Sequence, residues 1–190
     1  KSVLHSDMEK IKITMEEIDQ SDFNNIVESI LSAKKIYILG VRSSAPLASF
    51  MGFYFNLLFD NVRLVHTTSV SEMFEQIIRA SKDDVVIGIS FPRYSKRTIK
   101  AMQFVKSQGA KVIAITDSYE SPLAAYADHS IIARSDMASF VDSLVAPLSV
   151  INALIVAIGM RRKQQVYETF EKLEQIWDEY QVYEKYDNVE

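Results

Sequence analysis

The spacing of apolar residues changes character twice along this chain. Leu4, Met8, Ile11, Met15 and Ile18 recur at alternating intervals of four and three, the heptad seam of an amphipathic helix with one narrow apolar stripe. IDQS breaks the seam, and Ser21 is placed to cap a second, short helix burying Phe23, Ile26, Val27, Ile30 and Leu31. From residue 35 onward, short continuous apolar runs alternate with helical periodicity. IYIL (36–39), VRLVH (62–66), VVIGI (85–89), KVIAIT (111–116) and HSIIA (129–133) read as strands. Between them, Leu47, Met51, Tyr54, Phe55 and Leu58 define a helix over 44–59. Another, carrying Met73, Phe74, Ile77 and Ile78, follows a Ser69–Glu72 capping box. A third runs from about residue 96 to residue 108 and is ended by Gly109.

Strands that are apolar throughout are buried on both faces, and intervening helices make them parallel. The expected fold is therefore α/β: a doubly wound, flavodoxin-like α-β-α sandwich with a sheet of about five parallel strands, plus N- and C-terminal helices. LVAPLSVINALIVAIGM (144–160) falls short of the roughly 18 apolar residues of a membrane span. It also contains Pro147, Ser149 and Asn152, so it reads as a buried helix, and no membrane contact is expected. The last helix carries Val166, Phe170, Leu173, Trp177 and Tyr180, spaced four and three again. The two seams either cover each other or make a homodimer or higher homo-oligomer. A chain of 190 residues suits one domain, read as a linker helix over 1–20 and a globular domain over 21–190.

Composition narrows the function. The chain has no cysteine, which excludes disulfides, thiolate zinc sites and cysteine nucleophiles and agrees with a cytoplasmic location. KSVLHSDMEK is neither a signal nor a transit peptide, and without an initiator Met the chain reads as a piece of something longer. Net charge is −4 with no broad basic face; the short RRK at 161–163 reads as a solvated helix junction, so nucleic acid is not this chain's own ligand.

Ligands of open α/β sheets bind beyond the carboxyl ends of the strands, where strand order reverses. Two strand-to-helix turns qualify. In GVRSSAP (40–46), Gly40 permits a tight turn, Ser43 and Ser44 supply hydroxyls, and the following helix offers backbone N–H groups and a positive dipole end. In SFPRYSKRT (90–98), Ser90 ends the strand, Ser95 caps the next helix and Thr98 lies one turn further. Arg93 there can add a charge-assisted hydrogen bond to an anion. Taken alone, each turn is equally well a plain serine cap beside solvated charges. Repetition favours a ligand: both turns carry a serine pair and an arginine, Arg42 and Arg93, as a phosphate clamp would. Neither turn has a P-loop's glycine run and Lys-Ser/Thr pair, nor the three glycines of a dinucleotide fingerprint. No metal cluster is apparent, and no cofactor is expected.

IYILGVRSSAPLA, ISFPRYSKRTI and AKVIAITDSYESPLAAYAD together resemble a sugar isomerase (SIS) domain, most closely the C-terminal effector domain of RpiR-type bacterial transcriptional regulators. The resemblance spans about residues 22–160. It implies an N-terminal helix-turn-helix domain that binds DNA, missing from this chain, and an effector domain that senses a sugar phosphate and dimerises. The motifs are modified. Family members commonly show Gly-x-Gly-x-Ser in the first turn; Gly40 and Ser44 match, and Arg42 stands for the second glycine. They show Ser-x-Ser-Gly-x-Thr in the second; Ser90 matches, while Pro92, Arg93 and Ser95 replace serine, glycine and threonine. The expected ligand set is Arg42, Ser43, Ser44, Ser90, Arg93, Ser95 and Thr98, holding a sugar phosphate or a related anionic sugar.

The alternative is a stand-alone sugar-phosphate aldose–ketose isomerase, which needs a base beside a carbonyl. His5, His66, His129, Glu72, Glu75 and Asp117 are the candidates, and no pair of them is spaced as catalysis would demand. The reading is a sensor without catalytic residues. A bare dimerisation module is the third possibility.

Overall fold

The computed structural model describes residues 1–136 and 140–184. Its strands are β1 (Ile36–Gly40), β2 (Val62–Val65), β3 (Val85–Ile89), β4 (Lys111–Thr116) and β5 (His129–Ile132). They form one wholly parallel sheet in the order β2-β1-β3-β4-β5. The helices are α1 (Ser2–Glu17), α2 (Gln20–Ser32), α3 (Ala45–Leu58), α4 (Val70–Ile77), α5 (Lys96–Ser107), α6 (Val145–Arg161) and α7 (Lys163–Glu179). The α/β doubly wound expectation is met.

Alternation along the strands divides the core into two layers. Ile36 and Ile38 of β1, with Ile87 and Ile113, pack on one face against Ile30 of α2, Met51 and Phe55 of α3, and Ile151 and Leu154 of α6. Tyr37 and Leu39, with Val86 and Val112, pack on the other against Met73 of α4 and Met102 and Val105 of α5. β1 and β3 are buried along their full length. β2, at the sheet edge, buries only Val65 and exposes Arg63, so the expectation of two-sided burial fails there. Among the described residues no single helix is long and apolar enough to cross a membrane. α6 and α7 pass such a test only as a pair bent by 99°, and α6 is a core helix whose Ile151, Leu154 and Ile158 are fully buried.

Several local expectations are corrected. Asp19, not Ser21, caps α2: its carboxylate accepts the Asp22 N–H at 2.7 Å, and Ser21 lies within the first turn. Ser69 does cap α4, but Glu72 does not complete a capping box. Its carboxylate takes the Thr67 hydroxyl, and Thr67 Oγ1 in turn accepts the Ser69 N–H. β2 and β5 each stop one residue early, leaving His66 and Ala133 outside the sheet.

Of the α1 seam only its last member, Ile18, packs against the core, for Leu4, Met8 and Met15 remain 69%, 66% and 68% exposed. The helix is fastened instead by its polar side. Lys10 and Thr14 are its buried residues. Lys10 Nζ donates to the Asp136 carbonyl at 2.7 Å, and Thr14 Oγ1 accepts the Arg134 N–H at 2.9 Å. Ser143 Oγ donates to Asp7 at 2.6 Å, and the Arg134 guanidinium forks onto Glu17. α7 buries no residue at all, so neither seam is covered by the other.

Candidate functional site: a cationic crevice at the strand-order reversal

Strand order reverses at β1, which pairs with β2 on one side and β3 on the other. The turns after β1 and β3 therefore flank the crevice where an open α/β sheet receives its ligand. The first turn leaves Gly40, makes a 3-10 turn over Arg42–Ser44 and enters α3 with Pro46 in its opening turn. Gly40 is required by close approach: a Cβ there would lie 2.7 Å from the Ser44 carbonyl oxygen and 3.0 Å from Ala48 Cβ. Arg42 sits at φ 55°, in the left-handed region that costs a side-chain-bearing residue about 1 kcal/mol or more and glycine almost nothing. Arg42 and Ser43 are exposed, whereas Ser44 is buried and, although it precedes α3, makes no side-chain capping bond.

The second turn is braced from three sides. Ser90 is buried, and its Oγ accepts the Ser95 N–H at 3.3 Å. Ser95 caps α5, accepting the Thr98 N–H at 3.5 Å. Tyr94 donates its hydroxyl to Asp117 Oδ1 at 2.8 Å, tying the turn to the end of β4. Arg97 Nη1 reaches the Thr68 carbonyl beyond β2 at 2.6 Å. The Pro92–Arg93 peptide is cis. Thr98 is wholly buried, and its Oγ1 lacks a hydrogen-bond partner among the described residues.

Between the turns lies a cavity of about 570 Å³, walled by Arg42 and Ser43 on one side, residues 93–97 on the other, and Asp142. Of the seven expected ligand residues, Arg42, Ser43, Arg93 and Ser95 line it; Ser44, Ser90 and Thr98 do not, being buried in the surrounding structure. Tyr94, Lys96, Arg97 and Asp142 were missed. Lys96 and Arg97 belong to SFPRYSKRT but read as solvated charge; Asp142 comes from a distant segment with no signal in its own sequence. The balance is four cations against one carboxylate, which suits an anion. A cavity of about 590 Å³ at the end of α7 is lined by Glu174, Asp178 and Glu184, the wrong charge for one.

None of the candidate bases lines the crevice. His5 and His66 are exposed, and His129 Nδ1 pairs with Asp22 at 2.5 Å. Glu72 holds Thr67, Glu75 accepts from Ser71 at 3.1 Å, and Asp117 accepts from Tyr94.

A sandwich with this strand order is a flavodoxin-like, doubly wound α/β domain, and comparison with known proteins identifies the family. Residues 29–157 match the SIS domain, and the chain belongs to that family. An uncharacterised HTH-type transcriptional regulator of Caldanaerobacter subterraneus is 25% identical over 170 residues, 87% of this chain and 60% of that protein. The HTH-type regulator HexR of Escherichia coli is 27% identical over 178 residues, 91% of this chain and 60% of HexR. The chain thus spans 60% of the length of both relatives. In structure, the sugar isomerase domain of an RpiR transcription factor from Sphaerobacter thermophilus superimposes with a TM-score of 0.86, at 24% identity, over 92% of this chain and 97% of that one. Vibrio vulnificus NanR, complexed with ManNAc-6P, gives 0.80 at 16% identity over 92% of this chain and 66% of that one. Phosphoheptose isomerase of Neisseria gonorrhoeae gives 0.70 at 16% identity, covering 84% and 96%. These superpositions establish the fold, which regulators and isomerases share.

Burial, and then the hydrogen bond to the Asp117 carboxylate, push the Tyr94 hydroxyl up to about 12. A phenol raised above its ordinary 10 contributes stability that is whole below pH 10 and is lost as pH rises toward 12. Wild-type protein will lose stability through that window in alkaline denaturation, and Tyr94→Phe will flatten this limb of the profile. Equal slopes for the two proteins would remove Tyr94 as the group responsible.

Proposed function

We propose that this chain is the sugar-phosphate-sensing effector part of an RpiR-type transcriptional regulator. The observation that carries the reading is the pairing of two strand-to-helix turns, each bearing serine and arginine, across one crevice at the strand-order reversal. The phosphate sits at the start of α5, where first-turn N–H groups lack helical partners and the dipole is positive. Ser43 and Ser95 supply hydroxyls and Arg93 a charge-assisted bond. Ser90 orients the Ser95 amide, and Ser44 and Thr98 act as supporting residues of the two helix starts. A sensor is favoured over an isomerase because none of the candidate bases lines the crevice, leaving Asp142 as the carboxylate at the cavity.

The regulator is cytoplasmic, and it reads DNA through a helix-turn-helix part outside this chain. The descriptions of the relatives and their greater length support this. It works as a homodimer, for which the uncovered stripe of Leu4, Met8 and Met15 on α1 provides an apolar surface. The signal leaves the crevice through Asp142: its neighbour Ser143 holds Asp7, and Lys10 and Thr14 of the same helix hold residues 134–136. Ligand contact at Asp142 thus bears on the helix that the domain reading makes the linker to DNA.

A thermal-shift screen of phosphorylated sugars and their unphosphorylated parents tests the site. Ligand at a hundred times its dissociation constant adds about 2.7 kcal/mol, a rise of roughly 5 to 10 °C for a chain of this size. The rise will occur with phosphorylated compounds, be lost in Arg93→Ala, and leave the ligand chemically unchanged; turnover of the ligand would establish the isomerase instead. Sedimentation analysis will give a dimer that Met8→Glu together with Met15→Glu converts to monomer. A wild-type monomer at micromolar concentration would end the dimer reading. Hydrogen exchange in α1 will slow when ligand binds, and Ser143→Ala will abolish the difference while retaining ligand binding. If α1 exchanges alike with and without ligand, the route through Asp142 is wrong.

A further inference from the structure

The crevice holds more positive charge than one phosphate uses. A phosphate monoester carries about −1.5 to −2 at neutral pH, whereas Arg42, Arg93, Lys96 and Arg97 face Asp142 alone across the cavity. The ion pairs among the described residues are Lys106–Asp128, His129–Asp22, Arg134–Glu17 and Arg161–Glu28, and none of them draws on the four crevice cations. The amides and dipole at the start of α5 already suit a phosphate, with Arg93 and Lys96 beside them. Arg42 stands on the opposite wall. Its backbone is a second clue: at φ 55° a glycine would be unstrained, yet the position carries a guanidinium on the cavity wall.

We infer that the ligand is a sugar phosphate bearing a second anionic group, a carboxylate or a second phosphate, and that Arg42 reads this second group. The inference rests on the phosphosugar reading above and narrows it to a doubly anionic class. Arg42 is the discriminating residue: its guanidinium forms a forked pair with a planar carboxylate or a phosphate, and a neutral sugar hydroxyl offers it no charge.

The test is calorimetric titration of the full chain with four compounds. They are a hexose monophosphate, the matching aldonic acid monophosphate, the matching bisphosphate, and the unphosphorylated aldonic acid. One of the doubly anionic phosphates is expected to bind about tenfold tighter than the hexose monophosphate, or better. The unphosphorylated acid is expected to bind weakest. Arg42→Gly, whose backbone suits φ 55° and whose melting midpoint reports intact folding, should bring the affinity ratio to near one, and Arg42→Lys should restore part of it. Equal affinity for the hexose monophosphate and both doubly anionic compounds would overturn the inference and leave the phosphosugar reading standing. An unchanged ratio in Arg42→Gly would overturn the role of Arg42. Failure of every phosphorylated compound to bind would overturn the phosphosugar reading itself, and this inference with it.

Discussion

The pairing of β1 with a different neighbour on each side is the constraint on which the ligand face depends. Because β2 lies to one side of β1 and β3 to the other, the chain leaving β1 enters α3 on one face of the sheet. The chain leaving β3 enters α5 on the other face. Two helices that start side by side and diverge leave a gap between their first turns, and backbone groups there have no helical partners. Gly40 keeps the gap in register by letting the Ser44 carbonyl and Ala48 close onto the strand end. The bracing of the second turn does the same work opposite. Tyr94, Ser90 and Arg97 tie it to β4, to its own strand end and to the loop beyond β2. The crevice is thus built from fixed elements, which would hold an anion in one geometry.

Much of this was legible in the sequence because burial on both faces leaves a plain mark. IYIL and VVIGI are unbroken apolar or glycine runs and KVIAIT has an apolar centre, and β3 and β4 span the stretches so read. The weaker marks belong to β2 and β5, where one flank is open to solvent and alternation no longer fixes the ends. The heptad arithmetic at the N-terminus located α1 but misjudged its attachment, since it counts apolar positions. The partners of α1 are Arg134, Asp136 and Ser143, more than a hundred positions away, and what they take up is Thr14, Lys10 and Asp7. The lining of the cavity was half legible for a related reason. Serines at helix starts announce themselves locally, but which of them face the cavity depends on how the turn rotates. Ser44, Ser90 and Thr98 rotate inward; Ser43 and Ser95 do not.

Arginine in place of two glycines changes how an anion would be held. Glycine at such turns brings backbone amides close to a phosphate, whose charge is then met by dipoles and hydroxyls. Arg42 and Arg93 move that task to side chains. One of the two must adopt a left-handed backbone to do so, at a cost that glycine avoids. Side-chain charge reaches further than an amide and discriminates by geometry, through the planar fork. The exchange favours recognition of charge at more than one place on the ligand over close wrapping of a single phosphate.

The manner in which α1 is held bears on whether such a ligand could move it. Core helices of this domain are locked by fully buried side chains, such as Met51 and Phe55 of α3 and Ile151 and Leu154 of α6. Each of these would give up about 1.5 to 3 kcal/mol on exposure, so displacing either helix is beyond one small ligand. α1 is fastened instead by a handful of hydrogen bonds and an exposed ion pair, worth net about 0.5–1.5 kcal/mol for each hydrogen bond and less for the pair. Allosteric couplings of about 1–3 kcal/mol match the loss or gain of one or two such bonds. In the proposed sensor the switching energy therefore falls at the polar clamp of α1 to Arg134, Asp136 and Ser143, while the sandwich that shapes the crevice stays rigid. An apolar seam in place of Lys10 and Thr14 would bind α1 too tightly for a single anion to shift, which gives the buried lysine a physical reason to be there.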